Sequence, residues 1–281
     1  MKRAAMVLLM LGTCGIVFGQ AGDKTAAQSA PTGQAVAPQG KRPPAAKTQP
    51  EFEAYKAAMA LQDAAATEKA ADDFAAKYPD SELRVMLYKS AMQKYQQANN
   101  ADKMLDVAHK ALTCDADDPE ALLGVAQVLA ERTRDTDLDK DQRLAEAKKD
   151  AERALVTIDT DVPTSGYPPE QLNAYKGFLR SEAYAITGTL AFNAKNYPEA
   201  ETNLRKSIDA FPQQVDAVAV FRLAVALDMQ NKIPEAMKYA DQAVELTKDH
   251  PESGAGKAAR EEKDRLTKLS SGTAPGSAPK N

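Results

Sequence analysis

The residues whose types could do chemistry in this 281-residue chain are few: two histidines, two cysteines and one run of alternating aspartates. His109 and His250 lie far apart and each stands alone. His250 precedes Pro251 at an expected helix end, where a protonatable cation is favoured, so both are read as solvent-facing structure. Cys114 falls near the end of an expected helix and is read as a small hydrophobe. The loop Asp135-Thr136-Asp137-Leu138-Asp139-Lys140-Asp141 loosely has the alternate spacing of a calcium loop. It lacks the turn glycine and the closing bidentate glutamate, so it is read as a solvated loop. No Cys/His cluster has metal-ligand spacing, and there is neither a glycine-rich phosphate loop after a strand nor a nucleophile elbow. No catalytic residue, metal or cofactor is therefore expected, and the chain is read as not an enzyme.

The chain ends supply context for those residues. Met1-Lys2-Arg3 is followed by an apolar run from Ala4 to Phe18 and then Gly19, Gln20 and Ala21. A basic start, a short apolar stretch and small residues make a secretory signal over residues 1–21, with export to the periplasm or beyond. The run is too short to span a bilayer, which takes about 20 apolar residues. Cys14 is read as discarded with the signal, because Leu11-Gly12-Thr13-Cys14 carries threonine where a lipid-attachment box has a smaller residue. A lipid-anchored outer-membrane assembly factor is the alternative that turns on Cys14. With Cys14 removed, Cys114 has no partner for an internal disulfide, and apolar burial must hold the fold. Net charge is −4 with 36 basic and 40 acidic residues. That balance has no basic block for nucleic acid or a membrane surface.

Residues 22–50 are rich in Ala, Pro, Gln and Gly and read as a disordered linker; residues 270–281 read as a disordered tail. The folded part is 51–269. Ala, Lys, Glu, Leu and Gln dominate it, and no alternating β-branched run appears, so it is expected to be all-α. Turn signals at Tyr78-Pro79, Asn99-Asn100, Asp117-Asp118-Pro119, Tyr167-Pro168-Pro169, Asn196-Tyr197-Pro198, Phe211-Pro212, Asn231 to Pro234 and His250-Pro251 cut it into paired helices.

The pairs repeat. Residues 181–214 carry Tyr184, Gly188, Ala191, Tyr197-Pro198-Glu199-Ala200, Leu204, Ile208 and Pro212. Residues 217–250 carry Leu223, Ala224, Leu227, Ile233-Pro234-Glu235-Ala236, Ala240, Ala243 and Val244. Looser units cover about 51–80, 85–118 and 119–160. This pattern resembles the tetratricopeptide repeat (TPR), and the ending Phe74 to Ser81 resembles repeats of bacterial envelope TPR proteins. The resemblance implies a right-handed superhelical solenoid of about five helix pairs, closed by a cap helix from Ala255 to Leu269 with Ala259, Leu266 and Leu269 on its covered face. Two departures stand out: the lengthened loop at 131–141, and the linker at 159–169 before a long helix expected over 169–193.

The resemblance further implies a non-catalytic scaffold of the bacterial cell envelope that binds a protein or peptide along the first helices of its pairs. Those helices would place Lys89 and Gln93 in an early unit, and Val218, Phe221 and Val225 in the last one, with Phe192 close to the latter three. Leu123 and Gln127 follow on the intervening unit, so the asparagine pair that lets some TPR modules grip acidic chaperone tails is absent. The alternative from another class is the accessory domain of a cell-wall lytic enzyme, but the residues after the last repeat leave no room for the catalytic domain such an enzyme needs.

Overall fold

The computed structural model describes residues 41–164 and 168–271. The signal segment, Cys14, most of the linker, Tyr167 of the 159–169 insertion and residues 272–281 lie outside them. Among the described residues there are eleven helices and no strand: α1 Gln49–Met59, α2 Ala64–Lys77, α3 Arg84–Gln97, α4 Ala101–Cys114, α5 Pro119–Arg132, α6 Lys140–Asp161, α7 Pro169–Asn193, α8 Tyr197–Ala210, α9 Ala217–Asp228, α10 Ile233–Leu246 and α11 Gly254–Ser270. Consecutive helices pack on one another from α1 to α4 and again from α8 to α11. The long helix expected over 169–193 has those bounds.

Repetition is visible in the packing. Every second helix buries three positions at the spacing i, i+4, i+7, which is one stripe of an α-helix. The three are Thr67, Ala71 and Phe74 in α2, Met104, Ala108 and Ala111 in α4, and Ala147, Ala151 and Ala154 in α6. In α8 they are Ala200, Leu204 and Ser207, and in α10 Ala236, Ala240 and Ala243. The stripe recurs after 37 residues (67 to 104), 43 (104 to 147), 53 (147 to 200) and 36 (200 to 236). The two long intervals fall where the sequence departs from the pattern, at the α5–α6 loop and at the linker into the 25-residue α7.

The turns repeat as well. Asn99, Lys195 and Asn231 adopt left-handed φ of 54°, 59° and 59° between the two helices of their pairs. In each, the next amide reaches back to the carbonyl five residues earlier: Asn100 to Tyr95 (2.9 Å), Asn196 to Ala191 (2.9 Å) and Lys232 to Leu227 (3.0 Å). This closes the first helix with a Schellman-type turn, for which asparagine is well suited. Pro198 and Pro234 then sit in the first turn of α8 and α10, where a missing N–H costs nothing.

Two compact units result. One comprises the described residues up to Gly124 together with those of Val156–Leu172, the other Val125–Leu155 together with the described residues from Asn173 onward. In the first, α1 to α4 pack each on the next, around a core that includes Phe74, Leu87, Tyr88 and Ala111. A carboxylate network ties its helices together. Glu68 of α2 accepts from the Tyr95 hydroxyl (2.6 Å) and the Lys110 ammonium (2.9 Å), while Asp72 accepts from Tyr88 (2.9 Å) and Lys110. Burial alone would raise the Glu68 carboxyl; Tyr95, Lys110 and Lys103 outweigh it and hold the carboxyl below its ordinary range.

In the second unit α8 to α11 pack each on the next, and α11 also reaches α9. Its core joins Ala191, Leu204, Leu223, Leu227, Ala236, Ala240 and Leu266. Gly188 lets α7 approach α8: a Cβ there would meet Leu204 Cγ at 2.8 Å. Glu201 of α8 accepts from Lys232 (2.6 Å), Gln230 (2.9 Å) and Arg205 (3.1 Å), binding the hairpin α9–α10 to α8. The closing helix departs from the expected covered face in one respect. Ala259 and Leu266 are fully buried, but Leu269, in the last turn, is 41 % exposed.

Candidate functional site

The polar half of the expected binding face lies on α3. Lys89 projects from this helix onto the start of α5, where its ammonium pairs with Asp118 (3.0 Å) and Glu120 (2.5 Å). Gln93, one turn further along α3, reaches the other Glu120 oxygen at 3.5 Å. Asp118 has a second task, accepting the Ala121 amide at 2.9 Å as the cap of α5. Burial works against the Lys89 charge, yet the two carboxylates outweigh it and hold the ammonium well above its ordinary value. Lys89 and Gln93 are thus engaged within the unit. Leu123 of α5 is 4 % exposed and buried.

The apolar half lies on α9. Asp216 caps this helix by accepting from the Val218 and Ala219 amides at 2.9 and 3.1 Å. Val218, Phe221 and Val225, at i, i+3 and i+7, follow as one half-buried stripe, while Leu223, Ala224 and Leu227 turn fully inward. Phe221 packs against the buried cluster formed by Val220, Ala243 of α10 and Ala259 of α11. Phe192, at the end of α7, is half-buried and packs edge-on against Tyr197 with ring centroids 6.0 Å apart. It belongs to the cluster around Leu204 and Leu223, not to the one that holds Phe221.

The residues weighed for chemistry are placed as follows. His109 and His250 are both exposed. Cys114 is half-buried beside the first core, and burial pushes its thiol up, away from the reactive thiolate. In the aspartate loop, Asp135 pairs with Lys140 (2.7 Å) and Asp137 accepts the Arg134 amide (2.9 Å). Among the described residues no three His, Cys, Asp or Glu side chains gather where a metal ion could be held. No described helix is long and apolar enough to cross a membrane.

Sequence reading did not identify Asp118 and Glu120 as the partners of Lys89, nor Asp228 as the anchor of α11. Asp228, at the end of α9, is 8 % exposed and pairs with Arg265, which also holds Glu262 at 3.0 Å. The signal available is the tripeptide Asp118-Pro119-Glu120, a capping aspartate followed by a first-turn proline and acid, which announces a helix start but not a long-range cation.

No family model matches the chain, and no curated protein matches its sequence. Among solved structures, the chain is similar to one titled "Assembly Chaperone of RpL4 (Acl4) (Residues 1-338)", at 15 % identity and a TM-score of 0.37, covering 79 % of this chain and 99 % of that one. At those values the similarity carries no argument about function.

Proposed function

We propose that the chain is a non-catalytic interaction scaffold of the TPR class, exported to the bacterial cell envelope, that holds a protein or peptide partner against the first helices of its pairs. The observation that carries this reading is the division of labour within α9. Its Leu223 and Leu227 face is committed to the core, whereas the Val218, Phe221 and Val225 stripe stays half-buried. Such a stripe suits an extended or helical segment held by apolar anchors. Export rests on the sequence of residues 1–21 alone.

Phe221→Asp tests the reading. Immobilised wild-type protein incubated with envelope extract should retain a defined partner, and the variant should retain at least about tenfold less, as expected for a central anchor. Helical circular dichroism should stay near wild type, with a melting temperature lowered only by the partial loss of the Phe221 contacts with the α10 and α11 cluster. A variant that melts far lower while binding normally before melting would show Phe221 to be core only, and the site would be lost.

A further inference from the structure

The ten described residues at the end of the linker do not dangle. Lys41 donates its backbone amide to the Thr160 carbonyl, in the last turn of α6, at 3.0 Å. Its ammonium pairs with Asp161, the final residue of α6, at 3.4 Å and with Asp115, the residue that closes α4. Arg42 pairs with Glu82, in the turn between α2 and α3, at 2.5 Å. Pro43 and Pro44 are half-buried, Ala46 packs on the first core, and the Lys47 amide donates to Glu51 at 2.7 Å. Thr48 and Glu51 then cap α1 reciprocally.

The segment therefore runs past the C-terminal ends of α6 and α4 and the turn that leads into α3, before the chain enters α1. Helix C-termini carry partial negative charge, and acidic side chains at or just beyond them deepen it. A Lys-Arg pair is the complementary occupant. Two consecutive prolines, which lack amide donors and hold φ near its extended value, limit the ordering cost of laying the segment down.

We propose that residues 41–47 form a salt-sensitive strap, docked in cis on an acidic edge made by Glu82, Asp115 and Asp161. Lys41 ties the end of α4 to the end of α6, so the strap braces the two helices. The ion pairs are partly exposed, with side-chain exposures of 38 % for Lys41 and about 20 % for its two acids. They are accordingly open to screening by salt. This inference does not depend on any external partner, so its failure and that of the scaffold reading are separable.

Amide hydrogen exchange on the full chain tests it. At low salt the Lys41 amide should be protected. In Lys41→Glu its exchange should rise at least about tenfold while α3 and α4 stay unchanged, and Asp115→Lys with Asp161→Lys in the same chain should restore protection. About 1 M salt, where the screening length is about 3 Å, should deprotect the wild-type strap in the same way. The proposal fails if the wild-type Lys41 amide exchanges at the unfolded-chain rate or if Lys41→Glu leaves it unchanged. It also fails if Lys41→Glu loosens α3 and α4 together with the strap, since the segment would then be core and not a detachable element.

Discussion

Lys89→Met is expected to destabilise the first unit by about 3–5 kcal/mol, the usual cost of breaking a buried ion pair from one side. The Asp118 and Glu120 side chains are 10 % and 16 % exposed. Without the ammonium, two carboxylates would remain close together with little solvent and no countercharge. Denaturant unfolding monitored on the first unit reads the loss directly. The companion variant Lys89→Met with Asp118→Asn and Glu120→Gln should recover most of it, because asparagine still caps α5 and no stranded charge remains. If the single variant loses less than about 1 kcal/mol, the pair is a surface pair of the ordinary kind and Lys89 is available for a ligand after all.

Deleting residues 253–281 is expected to cost more than about 3 kcal/mol and to make the protein associate, whereas deleting only 272–281 should leave the thermal midpoint unchanged. Repeat arrays draw their stability from neighbouring interfaces, and α11 packs on both α9 and α10. Leu266 and Ala259 of α11 are fully buried, and a fully buried leucine alone is worth about 1.5–3 kcal/mol. Removal would also strip Asp228 of Arg265. Light scattering and a thermal melt of the two truncations decide the matter; equal behaviour would mean that α11 is not the cap.

What is legible in the sequence is what is local. Asn99, Asn231 and the single prolines at 198 and 234 are turn chemistry, read within five residues, and the helices begin and end beside them. The buried stripes of α8 and α10 were likewise visible as helical spacing of Ala200 and Leu204, and of Ala236, Ala240 and Ala243. What escaped was set by distance in sequence. Lys89 read as a groove residue because its acids stand 29 and 31 positions on. The strap read as disordered because the partners of Lys41 lie 74 and 120 residues away. A Lys-Arg-Pro-Pro sequence has no periodicity from which docking could be inferred. Leu269 followed the apolar spacing of α11 but sits where the helix ends, beyond the positions that α9 and α10 cover.

The central claim is that a partner is held along first helices while second helices are given to packing. Site-specific photo-crosslinking tests it most directly. A photoreactive residue at Val218 or Val225, both half-buried on α9, and one at Lys206 or Lys238, both exposed on α8 and α10, would be activated in living cells. The account predicts one shared covalent adduct from the two α9 positions and none from the other two. Adducts of equal yield at all four positions, or adducts only at Lys206 and Lys238, would contradict it.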